Sequence, residues 1–175
     1  MTTLLNISDY PINQNLLLDS NWKKSDYYEL CCHSELWGCA FLLVLGKRIT
    51  SIPNEAIIYL LERLIIESEG WDEKVLSDTD SDFRQFIFTG GYLSDRIGQN
   101  ISNDEFWNNY EEITIGISAS KDYKVTKNGR LTKNETLIKK DEILSVISFA
   151  NEWNNRQYFI EFHDKWSFFT WATSV

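Results

Sequence analysis

The aromatic stretch at residues 156–173 (RQYFIEFHDKWSFFTWAT) constrains the fold of this chain more than any other segment. Side chains alternate between the two faces of a β-strand, so Tyr158 and Ile160 share one face while Phe159 lies on the other. The polar residues 163–165 form a turn signal before a second aromatic run. The pattern predicts two strands joined as a β-hairpin.

A long helix is predicted at residues 53–70 (PNEAIIYLLERLIIESEG). Ile57, Leu60, Leu61 and Leu64 recur at the spacing that places them on one side of an α-helix. Gly70 follows the last of the periodic residues, where glycine commonly ends a helix. The segment is therefore predicted to be amphipathic.

Three further elements follow from local patterns. Residues 103–113 (NDEFWNNYEEI) carry acidic residues in the first turn and aromatic residues at helical spacing, which predicts a short helix. Residues 113–119 (ITIGISA) read as a strand. Asn128-Gly129 lies between two short β-like segments and predicts a hairpin turn.

Residues 27–33 (YYELCCH) and 36–45 favour two buried strands joined by a turn, although the second run also fits a buried helix. ILSVISFANEW, at residues 143–153, fits either a strand or a short helix. Predicted helices mostly precede predicted strands, and no βαβ alternation is seen. We therefore expect one α+β domain over residues 1–175, with a mainly antiparallel sheet and two or more helices packed against it.

The charge of the chain is unevenly distributed. The net charge is −9 over 175 residues, and the segment 67–82 contains seven acidic residues against a single lysine. The segment 121–140 has the opposite character, with seven basic residues against two acidic ones. Such a chain repels nucleic acid over most of its surface and attracts basic proteins.

Composition and hydropathy indicate a globular protein. Aliphatic and aromatic residues make up 43% of the chain, which excludes a disordered protein. The longest uncharged apolar run, residues 36–46, is about half of what a membrane helix needs, and the N-terminus lacks the basic start of a signal peptide. We expect a cytoplasmic protein with no membrane partner, in which Cys31, Cys32 and Cys39 are reduced thiols.

The segment LSDTDSD, at residues 76–82, places aspartates at every second position, as calcium loops do. An EF-hand loop starting at Asp78 needs glycine at its sixth position and glutamate at its twelfth, and the chain has Phe83 and Thr89 there. Serine and threonine neighbours indicate a solvated loop rather than the partly apolar cleft of a catalytic carboxylate pair. The pattern favours a negative interaction surface.

Motifs for catalysis and metal binding are weak. Cys31, Cys32, His33 and Cys39 lack the paired spacing of a zinc site, and the chain contains no P-loop, dinucleotide fingerprint or hydrolase elbow. A cysteine paired with His163 in the fold would be a nucleophile and base, but no local signature supports it. We expect no catalytic residue, no metal and no cofactor.

Small size, acidity and aromatic content together are typical of an inhibitor of a basic protein. In these respects the chain resembles bacterial immunity proteins that protect cells from contact-dependent growth inhibition toxins. The resemblance implies a cytoplasmic protein that binds one cognate toxin domain, often a nuclease, and blocks its active site or its access to substrate. An enzyme with a cysteine and histidine site and an acidic mimic of nucleic acid are the alternatives.

Under this interpretation the partner is a toxin protein domain and not nucleic acid, and the oligomeric state stays open. Trp71 is the tryptophan expected on the surface, because it lies within the acidic segment. The predicted partner-binding residues are Glu67, Glu69, Trp71, Asp72, Glu73, Asp78, Asp80 and Asp82.

Overall fold

An antiparallel sheet with helices on both faces forms the framework of the molecule. A computed structural model describes residues 5–6, 20–34, 36–69, 97–133 and 137–173. The strands are β1 (Leu5–Asn6), β2 (Asp26–Cys31), β3 (Cys39–Gly46), β4 (Ile97–Ile101), β5 (Lys124–Lys127), β6 (Arg130–Leu131), β7 (Ser145–Glu152), β8 (Asn155–Glu161) and β9 (Lys165–Ala172). The helices are α1 (Pro53–Glu69) and α2 (Asn103–Ser118), with 3-10 turns at Ser20–Lys24 and Lys140–Glu142.

The strands follow the order β1-β4-β7-β8-β9-β3-β2-β5-β6, and every neighbouring pair is antiparallel. β8 and β9 form the predicted hairpin, with Phe159 opposite Phe168 and Tyr158 opposite Phe169. Both segments whose assignment was open, residues 36–45 and 143–153, contain strands. The predicted α+β class with a mainly antiparallel sheet and packed helices is confirmed.

The central strands are covered on both faces, which explains their nearly continuous apolar sequence. One face packs against α1 in what we call the α1 layer, whose core includes Leu43, Leu45, Phe159, Trp166 and Phe168 from the sheet with Ile57, Leu60, Leu61 and Leu64 from the helix. The other face packs against α2 in the α2 layer, whose core includes Leu30, Leu42, Tyr158, Phe169 and Trp171 with Phe106, Tyr110, Ile113 and Ile117. The sheet therefore separates two hydrophobic cores.

The predicted strand at residues 113–119 is wrong, because α2 continues through Ser118. Ile113 and Ile117 extend the apolar face that Phe106 and Tyr110 begin, and all four side chains are buried. Burial of large side chains is worth about 1.5–3 kcal/mol each, which outweighs the weaker preference of β-branched residues for strands. Tertiary packing thus decided the length of this helix.

The hairpin predicted at Asn128-Gly129 is present between β5 and β6. Asn128 has φ 49° and Gly129 has φ 75°, the left-handed backbone that such a turn requires. β6 is the last strand of the sheet, so this basic hairpin lies at an edge. No helix in the described parts of the chain combines the length and apolarity needed to cross a bilayer.

Candidate functional acidic face and aromatic cavity

The predicted acidic segment is described only at its beginning. Glu67 lies in the last turn of α1, is exposed, and its Oε1 lies 2.8 Å from Nη2 of Arg63 one helical turn earlier. Glu69 is the last residue of the helix. The remaining predicted site residues lie outside the described part of the chain: Trp71, Asp72, Glu73, Asp78, Asp80 and Asp82. The assignment of this segment to partner binding stays a prediction.

A second acidic surface, not predicted as a site, lies on the outward side of α2. The helix has four exposed carboxylates, Asp104, Glu105, Glu111 and Glu112, and no basic residue. Its first turn is held by Ser102, whose hydroxyl accepts a hydrogen bond from the Glu105 backbone N–H at 3.1 Å. We call these four residues the α2 acidic face.

The two ends of this face differ electrostatically. Lys140 lies 2.7 Å from Asp104 and lowers the pKa of that carboxyl through a hydrogen bond and charge attraction. Glu105 accepts a 2.6 Å hydrogen bond from the Asn151 side chain. Among the described residues, no salt bridge involves Glu111 or Glu112. Among the described residues, Asp104 is therefore the one carboxylate of this face that is paired with a cation.

A cavity of about 320 Å³ lies directly beside Glu111. It opens between α2 and the segments that follow the helix, and its described lining includes Trp107, Tyr110, Glu111, Ile115, Tyr123 and Ile138. Ile115 lines the cavity and is 61% exposed, so it forms an apolar part of the rim. The cavity therefore joins aromatic walls, an apolar rim and one carboxylate.

Both tyrosines of the cavity are neutral at physiological pH. Burial raises the pKa of Tyr110, and the nearby phenol of Tyr123 raises it further. Burial likewise raises the pKa of Tyr123. The walls consequently offer uncharged rings and hydroxyl groups, and Glu111 is the one charged side chain among the described lining residues.

A polar network fixes the N-terminal half of α2 to the sheet. The Tyr158 hydroxyl donates to Asn151 Oδ1 at 2.7 Å, and the Asn109 side-chain amide donates to the Tyr158 oxygen at 3.0 Å. Burial raises the pKa of Tyr158 to about 12. These bonds tie α2 to β7 and β8 and so fix the position of the α2 acidic face on the sheet.

The expectation of reduced thiols is wrong for two of the cysteines, because Cys31 and Cys39 form a disulfide. They are directly opposed residues of β2 and β3, with Cα atoms 4.2 Å apart, so strand pairing brings their side chains together. Cys32, the next residue, points to the opposite face and is buried in the α2 layer as a free thiol.

The other candidate ligands and bases have separate surroundings. The ligand atoms of Glu29, Cys31 and Cys39 lie within 4.8 Å of one another, but the disulfide leaves neither sulfur as a thiolate. His33 contacts the carboxylate of Asp122, which also accepts a 2.9 Å hydrogen bond from the His33 backbone N–H. The four residues considered for zinc therefore have different surroundings. Cys31 and Cys39 form the disulfide, Cys32 is buried in the α2 layer, and His33 contacts Asp122.

Three lysines of the basic segment 121–140 are paired with acidic residues. Lys139 lies 3.0 Å from Glu142, Lys140 binds Asp104 as described above, and Lys127 lies 3.0 Å from Asp26. These pairs partly neutralise the lysines, so the local positive charge of the basic segment is smaller than its sequence indicates.

The sequence signal for the α2 acidic face is the absence of any lysine or arginine between Arg96 and Lys121, a stretch with four carboxylates. Six of the ten described cavity residues lie along one stripe of α2 at helical spacing, but the other four come from segments that meet the helix only in the fold. Comparison with known proteins gave no match to a protein-family model, a curated protein or a solved structure.

Proposed function

We propose that this protein is an immunity protein that binds and neutralises a cognate basic toxin domain through an acidic, aromatic-containing surface. One observation carries the proposal: the outward side of α2 presents four carboxylates, of which Asp104 is paired with Lys140, and no basic residue of the helix itself, beside a cavity walled by aromatic residues. The acidic segment that begins at Glu67, in the helix on the other face of the sheet, stays a separate predicted contact. The proposed place of action is the cytoplasm, where the Cys31–Cys39 disulfide would be exposed to reduction.

The physical role of the two components differs. Carboxylates attract a basic partner over distances of about 10 Å at moderate salt and raise the association rate. Aromatic groups in a cavity supply the short-range contact that slows dissociation. The α2 acidic face and the cavity are adjacent, so a single partner can use both.

Such a surface is suited to a nuclease as the toxin. A nuclease must attract phosphates with lysine and arginine side chains. Carboxylates placed on those side chains occupy the surface that the substrate needs. Inhibition then requires only that the complex covers the basic surface and lasts longer than an encounter with nucleic acid.

The test combines capture with rescue. Tagged protein would be used to capture a partner from its host at low salt, and each retained protein would be expressed alone and together with this chain. The proposal predicts one basic protein, retained near one to one, that is toxic alone and harmless in the pair. Retention of many unrelated nucleases would indicate a nucleic-acid mimic, and the absence of any toxic partner would contradict the proposal.

Charge variants connect the function to α2. Replacing Glu111 and Glu112 by glutamine should slow association about threefold to tenfold at low salt and flatten its salt dependence. The matched control removes two exposed carboxylates elsewhere, Glu152→Gln with Asp164→Asn at the turns before and after β8. Equal slowing by both pairs would exclude α2 as the contact surface.

A further inference from the structure

We propose that the cavity beside α2 is a receptor for one arginine side chain. The inference deepens the proposed function and rests on it for the identity of the partner, which would contribute the arginine. The chemistry of the cavity can be tested without that partner.

The walls suit a planar cation. Trp107 and Tyr110 have ring centroids 5.6 Å apart, and Tyr123 lines the same space. A guanidinium stacks on aromatic faces and is held there by the ring quadrupole. Tyr110 is buried and stacks on Phe106, so the guanidinium would stack on the half-buried ring of Trp107.

The charge distribution selects a cation over an anion. Glu111 lines the cavity and is free of salt bridges among the described residues, and Glu112 follows it on the helix surface. The nearest lysines after Ile138 are turned to other partners, Lys139 to Glu142 and Lys140 to Asp104. A carboxylate at the rim can therefore accept charge-assisted hydrogen bonds from an entering guanidinium.

The basic residue beside Tyr123 also faces away. Lys124 precedes Val125, which is buried in the α2 layer, so strand alternation directs Lys124 to the opposite side of β5. No described lysine or arginine side chain lines the cavity.

The dimensions suit one long side chain. Ligand pockets usually enclose about 300–1,000 Å³, and this cavity of about 320 Å³ is at the lower limit. Exposed Ile115 and half-buried Leu137 provide apolar contact for the methylene stem of an arginine, while the guanidinium reaches the rings. Lysine would lose the stacking and the two-point contact with the carboxylate.

The experiment is a titration of the purified protein with N-acetyl-arginine amide, followed by the NMR signal of the Trp107 indole N–H, assigned by its loss in Trp107→Phe. N-acetyl-citrulline amide, which has nearly the same shape and no charge, is the control ligand. We expect saturable shifts with a Kd on the order of millimolar for the arginine compound, and no saturation with the citrulline compound.

Two glutamates provide a matched pair of variants. Glu111→Gln should weaken binding of the arginine compound about fivefold to tenfold, because the carboxylate at the rim is lost. Glu152→Gln removes the same charge from an exposed position at the end of β7, outside the described lining, and should change binding less than about twofold. Both residues are exposed, so neither variant is expected to unfold the protein.

Equal binding of arginine and citrulline compounds would overturn the inference, as would equal effects of the two glutamate variants. These results are independent of the toxin test. A protein that neutralises a basic toxin but does not bind the arginine compound would keep the proposed function and lose this inference. Arginine binding without any toxic partner would keep the cavity chemistry and refute the proposed function.

Discussion

The two helices have nearly the same length, 17 residues in α1 and 16 in α2, but they occupy different environments. In α1 every residue from Ala56 to Leu61 is buried, so all sides of the helix are covered there. In α2 the buried residues are confined to one face and carboxylates occupy the other. A helix covered on all sides serves the core, whereas a helix with one free face can vary that face for recognition.

The largest expected effect is the difference between the two helices in how much a substitution to alanine lowers the free energy of unfolding. Leu60 is fully buried in the α1 layer, and Leu60→Ala should lower the free energy of unfolding by about 2–5 kcal/mol, since it removes packed methyl groups and leaves a cavity. Ile115→Ala on the exposed side of α2 should change it by about 0.5 kcal/mol or less. Urea denaturation measures both, and similar losses would show that the helices are not different in this respect.

A smaller effect concerns the buried side of α2. In an exposed helix Gly→Ala stabilises by about 1 kcal/mol, but a Cβ at Gly116 would lie 2.3 Å from the Trp37 ring. Gly116→Ala should therefore lower the free energy of unfolding by about 1–3 kcal/mol. Thermal or urea denaturation measures the sign of the change in the free energy of unfolding. A stabilised variant would mean that α2 does not pack closely on Trp37.

The smallest effect involves pH and the Tyr158 network under α2. The folded-state pKa of Tyr158, raised by burial to about 12, is above the ordinary value of 10. Its contribution to stability is thus present below pH 10 and is lost as the pH rises through 12. Tyr158→Phe should be less stable than the unsubstituted protein at pH 8 by about 1 kcal/mol, because the hydrogen bonds of the hydroxyl are lost. Between pH 10 and 12 the variant should lose less stability than the unsubstituted protein, because it has no phenol to ionise at this position.

Urea midpoints at pH 8 and pH 11 for the two proteins measure this difference. The comparison between proteins cancels the titration of lysines, which ionise in the same range. Identical losses in both proteins would show that the phenol does not titrate against folding.

Local patterns were sufficient where one element could be read by itself. The apolar period of α1, the alternation of the β8–β9 hairpin and the Asn128-Gly129 turn each led to the observed structure. Each of these signals depends on side chains within a few residues of one another, so the backbone preference is visible in the sequence.

Local patterns failed where distant residues decided the outcome. ITIGISA has strand-like composition, yet Ile113 and Ile117 are helical because the α2 face of the sheet offers them a place in the core. The sequence contains three cysteines, and we expected all of them to be reduced thiols. The register of β2 and β3 instead places Cys31 opposite Cys39, and the two form a disulfide.

The sequence by itself determined the α+β class, the negative charge and the absence of cations between Arg96 and Lys121. The tertiary structure alone decided that Tyr123, Leu137 and Ile138 lie beside the α2 residues Trp107, Tyr110 and Glu111 at one cavity. The reason is physical: secondary structure follows periodicities of two to four residues, whereas a cavity forms from side chains that chain folding brings together from separate segments.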